Sequence, residues 1–185
     1  MEQRYLILVD EQSQKDRLKR IARSLRNEGI LLVYEEINPN ECSVRKDNGD
    51  LSLDKVALEN KLASISFLSH LDVFATDYNL VTDELKGIDM IEMLYSLQPH
   101  YRKQVVIYSA QIDEVIDDII TKRAKGFKQQ VEMLKILAQT DIHYLSGEGE
   151  FENEFKSLIA KEPDITIDSR LIDSLHTLNC DNLKC

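Results

Sequence analysis

Side chains that end in oxygen follow three short apolar stretches of the chain. Asp10 and Glu11 come directly after YLILV, Asp77 comes after LDVFAT, and Ser109 comes after VVIY. Carboxylates that lie close together repel, and each raises the proton affinity of the others unless a cation intervenes. Mg²⁺ suits such a group best, because it uses one or two carboxylates, keeps several waters and accepts phosphate oxygens. A carboxylate beside that ion can also attack phosphorus as a nucleophile.

The three apolar stretches predict strands that bring these side chains together. They are apolar throughout, with no alternation, which is typical of a parallel sheet covered on both faces. Helical patterns separate them, as in right-handed βαβ units of a doubly wound sheet. In such sheets a ligand site lies outside the carboxyl ends of the strands. We therefore expect Asp10, Glu11, Asp77 and Ser109 to lie at one edge of the fold.

The segments between the strands show helical spacing. Ser13 is predicted to cap a first helix, and Gly29, which is at ease with a positive φ, is predicted to end it. A second helix is predicted in LSLDKVALENKLASISFL, with apolar or turn positions at Leu53, Val56, Ala57, Asn60 and Ile65. A third is predicted to turn Ile88, Ile91 and Leu94 or Tyr95 inward.

This arrangement resembles the receiver domain of two-component response regulators. In that family an acidic pair follows strand one, the phosphoacceptor aspartate ends strand three, and a Ser or Thr ends strand four. The resemblance implies that Asp77 accepts a phosphoryl group. It also implies that Mg²⁺ is held by Asp10, Glu11, Asp77 and the backbone carbonyl of Asn79. The likeness covers about residues 4–160.

The same resemblance implies a phosphorylation switch. Ser109, followed by Ala110, matches the residue that bonds a phosphoryl oxygen and draws the next loop inward. Tyr144, on the predicted strand five, matches the aromatic residue that changes rotamer.

One position departs from the family. The family's lysine, two residues after the switch aromatic, is replaced here by Ser146. Removing a cation from a phosphate site costs roughly a few kcal/mol of charge-assisted bonding. That loss would weaken phosphorylation or uncouple it from switching, unless Lys122 or Lys125 supplies the charge.

The expected fold is therefore α/β and flavodoxin-like, a doubly wound five-stranded parallel sheet in the order 2-1-3-4-5. Residues 1–162 form the receiver-like domain, with an inserted loop at about 38–50 and an expanded helical segment at about 111–140. Residues 163–185 form a C-terminal extension, helical or partly disordered.

Composition narrows the partners. The net charge is −10 and the pI about 4.9, which disfavours binding to nucleic acid or to anionic membranes. No apolar stretch reaches the roughly eighteen residues that cross a bilayer. Cys42, Cys180 and Cys185 are too scattered for a disulfide framework, and with His176 they lack the tight pairs of a zinc site. We expect a cytoplasmic protein in a reducing compartment.

Two functions remain open from the sequence. In the first, a histidine kinase or phosphotransfer protein phosphorylates Asp77, and the chain signals to a downstream protein by contact, with homodimer pairing as an option. In the second, the chain is a pseudo-receiver, an adaptor that phosphorylation does not regulate. Neither is an enzyme in the usual sense. A phosphohydrolase of the aspartyl-phosphate type is disfavoured, because DEQ at 10–12 and DYN at 77–79 both lack the second aspartate of that motif.

Overall fold

The structure is a computed structural model of the 185-residue chain. It describes residues 1–45, 51–81, 85–109, 128, 131–132, 135–136, 138, 140–144 and 148–161, of which 51, 140–144 and 148–150 are described by their backbone.

The strands in chain order are β1 (Glu2–Val9), β2 (Ile30–Ile37), β3 (Ser43–Arg45), β4 (Leu51–Leu53), β5 (Val73–Asp77), β6 (Asn79–Val81), β7 (Leu85–Lys86), β8 (Gln104–Ser109) and β9 (Thr140–Tyr144). The helices whose bounds lie within the described residues are α1 (Lys15–Asn27), α2 (Lys55–Ala63), α3 (Gly87–Leu97) and α4 (Glu148–Ala160), with 3₁₀ turns at Pro39–Cys42 and Leu68–His70.

A parallel sheet forms the centre of the molecule, with its strands in the order β2-β1-β5-β8-β9. The α/β class and the predicted order of the first four of these strands along the sheet are confirmed. β9 lies beside β8, with Ile142 opposite Ile107.

The central strands are buried on both faces, as their apolar sequences predict. Ile7 and Val9 face a core that α2 and α3 cover, whereas Leu6 and Leu8 face a core that α1 and α4 cover. Alternate residues of a strand point to opposite faces, so one apolar run supplies both cores.

Helix α1 ends as predicted but begins differently. Gly29 has a φ of +85°, and the helix ends two residues earlier, at Asn27. Gln14 occupies the N-cap position and its side chain makes no capping bond, whereas the Ser13 hydroxyl accepts the backbone N–H of Lys15, the first helical residue, at 3.4 Å, as predicted for a helix start. The Gln14 side chain instead donates a hydrogen bond to the Asp10 carboxylate.

Helix α2 is shorter than the predicted segment at 51–68, and the sequence pattern does not single out the face that it buries. Asp54 caps it by accepting a hydrogen bond from the Ala57 backbone N–H at 2.9 Å, and its buried residues are Leu58 and Leu62. Val56 is 67% exposed. In contrast, α3 buries Ile88, Ile91 and Leu94 as predicted. 

The predicted inserted loop at 38–50 contains regular structure in its described part. After the 3₁₀ turn at Pro39–Cys42, β3 pairs with β4 in antiparallel fashion, with Val44 opposite Ser52. Residues 46–50 lie outside the description. Directly after Asp77, β6 and β7 form a second small antiparallel pair.

Several predictions fall largely outside the described residues. They concern the expanded segment at 111–140, with its lysines, and the extension at 163–185. In the first of these, Val131 is helical and buried. The domain limits stay predictions. Across the part of the chain that the structure describes, no helix is both long enough and apolar enough to cross a membrane.

Candidate functional site

Three of the predicted site residues lie at the same edge of the sheet. Asp10 follows β1, Asp77 ends β5 and Ser109 ends β8. The register aligns these ends, with Val9 opposite Thr76 in the neighbouring strand. Parallel pairing of adjacent strands therefore gathers the polar ends, and we call the group of Asp10, Glu11 and Asp77 the acid pocket.

Asp10 is 3% exposed, and three donors hold its carboxylate. The Gln12 backbone N–H donates to Oδ1 at 2.8 Å. The Gln14 side-chain amide donates to Oδ2 at 2.9 Å, and the Tyr108 hydroxyl donates to the same oxygen at 2.7 Å. None of these donors is a cation. Neutral hydrogen bonds satisfy this carboxylate almost completely, since a carboxylate offers about four lone-pair positions.

Asp77 is partly buried beside Asp10, and its carboxyl has a perturbed pKa. Burial raises the pKa of Asp77 from 3.8 to about 7, and the charges of Asp10 and then Glu11 add to that rise. Hydrogen bonds from the Asn79 and Tyr78 backbone N–H groups act in the opposite direction. Close acidic neighbours in a low-dielectric site disfavour the charged form. The charges of Asp10 and Glu11 thus both act on the Asp77 carboxyl group.

Glu11, like Asp77, is partly buried. Its backbone carbonyl accepts a hydrogen bond from Asn38 Nδ2 at 2.9 Å, which ties the loop after β1 to the end of β2. Among the described residues, no hydrogen bond or ion pair engages its carboxylate. Glu36, on β2, accepts instead from the Gln14 backbone N–H and from Ser13 Oγ.

Tyr108 was missed by the sequence reasoning. It lies on β8 opposite Asp77 and is 6% exposed. Burial, followed by the charge of Asp10, raises the pKa of the Tyr108 phenol well above its ordinary value, so the group remains a neutral donor. A tyrosine in an apolar strand usually indicates packing, and the partner of its hydroxyl is 98 residues away along the chain. Gln14 lies only four residues after Asp10 and was missed because a polar residue at that spacing is not by itself a signal of contact.

Gly87 was also missed, and it sets the position of the β5 end. A Cβ at this position would lie 2.5 Å from the Asp77 carbonyl oxygen, closer than real contacts allow. The Gly87 N–H donates to the Tyr78 carbonyl at 2.8 Å. Only glycine permits this close approach of α3 to the strand that carries Asp77.

The loop after Asp77 carries one cation. Lys86 donates to Asn79 Oδ1 at 2.8 Å, and its ammonium lies 5.7 Å from the centre of the Tyr78 ring. It thus bonds the amide side chain, whereas the acid pocket is held by neutral donors. The role predicted for the Asn79 backbone carbonyl stays a prediction.

The remaining predicted residues are only partly visible. Ser109 is buried and has interactions with its surroundings. The backbone of Tyr144 pairs with Ser109, while its side chain lies outside the description. Ala110 and Ser146 also lie outside it. The predicted switch is therefore untested.

The oxygen atoms of the acid pocket are of the type that binds magnesium. Carboxylate and carbonyl oxygens are the ligands that Mg²⁺ prefers. However, three donors already engage Asp10, and within the described ranges no group of three or more His, Cys, Asp or Glu side chains is arranged to hold a metal ion. In this conformation Oδ2 of Asp10 could bind the ion only after losing Tyr108 or Gln14 as a donor.

Comparisons with known proteins leave the family open. No family model matches the chain, and no curated protein matches it. One solved structure, of a transiently phosphorylated "switch" in bacterial signal transduction, is similar at 17% identity and a TM-score of 0.40, covering 86% of this chain and 97% of that one. Another, DJ-1beta from Drosophila melanogaster, is similar at 14% identity and a TM-score of 0.33, covering 93% and 98%. Because both TM-scores are below 0.5, neither likeness assigns a function to this chain.

Proposed function

We propose that this chain is a receiver-like signalling module of the flavodoxin-like type that acts by protein contact, with an acid pocket that does not depend on Mg²⁺. This corresponds to the pseudo-receiver alternative. Its proposed partner is a protein, because the net charge of −10 disfavours polyanions.

The hydrogen bonding of Asp10 carries the proposal. In an acid pocket that depends on a metal, the carboxylate oxygens must be free to meet the ion. Here the Tyr108 hydroxyl and the Gln14 amide both donate to Asp10 Oδ2. The predicted loss of the lysine at Ser146 agrees with this, because a pocket without a phosphoryl group has no need of that cation.

The test is exposure of the pure chain to millimolar Mg²⁺ with acetyl phosphate or beryllofluoride, followed by intact mass and amide NMR spectra. We expect no added phosphoryl mass and no shifts beyond those that Mg²⁺ alone produces. The control is Asp77→Asn, which must give the same spectra under the two treatments. A modification that requires Mg²⁺ and disappears in Asp77→Asn would refute the proposal.

A second candidate is phosphorylation of Asp77 by a histidine kinase or phosphotransfer protein, with Mg²⁺ as the cofactor that the resemblance implies. The observation that favours it is that the charges of Asp10 and Glu11 raise the pKa of Asp77. If Mg²⁺ is to bind Oδ2 of Asp10, that oxygen must first lose the hydrogen bond from Tyr108 or from Gln14. The same experiment decides between the two candidates.

A further inference from the structure

The neutral donors around Asp10 are held in place by a second layer of contacts. Oδ2 of Asp10 accepts from both the Tyr108 hydroxyl and the Gln14 amide, and Oδ1 accepts from the Gln12 N–H. A divalent cation that took Oδ2 as a ligand would have to displace Tyr108 or Gln14. The ease of that displacement depends on how firmly each is fixed.

Aromatic packing fixes Tyr108. Its ring meets Phe151 edge-on at 5.4 Å between centroids and Phe155 at 5.6 Å. Both phenylalanines belong to α4, are buried, and stack on each other at 4.3 Å. Edge-to-face and stacked pairs of this kind are favourable beyond simple burial. The hydroxyl cannot swing away from Asp10 without disturbing the packing of α4.

Arg17 fixes Gln14. It donates from Nη1 to Gln14 Oε1 at 3.0 Å, which turns the amide nitrogen of Gln14 toward Asp10. The Arg17 guanidinium also lies 5.2 Å from the centre of the Phe151 ring. The contacts thus close a ring that runs through Asp10, Tyr108, Phe151, Arg17 and Gln14. Each donor to Oδ2 is supported through the same phenylalanine.

We propose that Tyr108 is the positioning residue that keeps Asp10 closed to divalent cations. The inference deepens the proposed function and rests on it, because it explains how the acid pocket is held without Mg²⁺. Removing the Tyr108 hydroxyl leaves one position on Oδ2 unfilled while the aromatic ring still packs against α4. An oxygen that has lost a donor regains a favourable interaction when a cation binds it.

The test is titration of the full chain with MgCl₂, followed by amide NMR, comparing wild type with Tyr108→Phe and with no phosphoryl donor present. We expect the apparent Kd for Mg²⁺ to fall about tenfold or more in Tyr108→Phe, the factor expected when a competing hydrogen bond to a carboxylate is removed. Adding Asp10→Asn to the variant should abolish the gain.

The matched control is Tyr101→Phe. Tyr101 is also buried, and its hydroxyl donates to the backbone carbonyls of Asp72 and Gln104 at the opposite end of the sheet. Its loss should lower stability and leave Mg²⁺ affinity at the wild-type value, which separates positioning from general destabilisation. If Tyr108→Phe does not fold, Gln14→Ala removes the other donor and should shift the affinity in the same direction.

Equal Mg²⁺ affinity in wild type, in Tyr101→Phe and in whichever of Tyr108→Phe or Gln14→Ala folds would overturn the inference. This outcome is distinct from failure of the proposed function, which is judged by modification of the wild-type chain with acetyl phosphate. A wild type that is modified while Tyr108→Phe also binds Mg²⁺ more tightly would refute the proposed function and support the role of Tyr108.

Discussion

At the scale of the residue, two aspartates in one pocket have different surroundings. Asp10 is served by three hydrogen-bond donors, two of them side chains from other elements. Within the described part of the chain, the Asp77 carboxylate receives hydrogen bonds from the Tyr78 and Asn79 backbone N–H groups, and it also feels the charges of Asp10 and Glu11. Burial and the two neighbouring charges therefore disfavour the charged form of Asp77. Asp77 is the residue through which pH should act on stability.

Replacing Asp77 with Asn should stabilise the protein in a pH-dependent manner. The folded-state pKa of Asp77 is raised from 3.8 to about 7. Its contribution to stability is therefore fully present below about pH 4 and is lost as the pH rises to about 7. Because Asn carries no charge, Asp77→Asn should gain about 2–4 kcal/mol in unfolding free energy at about pH 8, and clearly less at about pH 5.

Chemical denaturation at several pH values measures this gain. Asp16→Asn is the control, because Asp16 is an exposed acid whose pKa is lowered by its hydrogen bond with Lys19. It should show no comparable gain as the pH rises. An Asp77→Asn gain of the same size at about pH 5 and about pH 8 would contradict the electrostatic explanation.

At the scale of the element, the sequence pattern indicates a buried face for α1 and for α3 but selects none for α2. α1 buries Leu18, Ile21 and Leu25, a clear stripe among charged residues. α2 carries apolar residues on several sides, so its pattern does not select one face. Packing against α3 and the 3₁₀ turn before β3 decides that Leu58 and Leu62 point inward.

This assignment can be tested on α2 with two large-to-small substitutions. Leu62→Ala should lower the unfolding free energy by about 2–5 kcal/mol, because it leaves a cavity in a fully buried site. Val56→Ala should change it by less than about 0.5 kcal/mol, since that side chain is mostly exposed. Urea denaturation of the two variants measures both values. Comparable losses of unfolding free energy at both positions would contradict the burial of Leu62 and the exposure of Val56.

At the scale of the whole molecule, the sheet separates two polar clusters. The acid pocket lies at the carboxyl ends of the strands. At the other end Asp72 accepts the Tyr5 backbone N–H at 2.8 Å and pairs with Lys103 at 2.8 Å. Asp77 lies five residues after Asp72 along β5, which corresponds to about 16 Å of extended strand. The second cluster joins β1 to the start of β5 and lies at the end of the sheet opposite the acid pocket.

The two clusters should therefore act independently. Asp72→Ala should lower the unfolding free energy by about 2–4 kcal/mol, because it leaves the Tyr5 N–H and the Lys103 ammonium without their acceptor. In that background the pH-dependent gain from Asp77→Asn should stay within about 0.5 kcal/mol of its wild-type value, as expected for distant sites. A double-mutant cycle at two pH values measures the coupling. A larger coupling would mean that the sheet transmits changes between its ends.

The sequence by itself determined the alternation of strands and helices, the parallel class of the sheet and the edge at which Asp10, Asp77 and Ser109 meet. These features follow from local periodicity and from the rule that parallel strands end at a common edge. Only the tertiary structure decided what surrounds the acids. Tyr108 and Gln14 reach Asp10 from other elements, and Gly87 brings α3 against the end of β5. Such contacts leave no periodic signal, whether the partner lies 98 residues away, as for Tyr108, or four, as for Gln14, because they depend on side-chain directions that exist only after the elements pack.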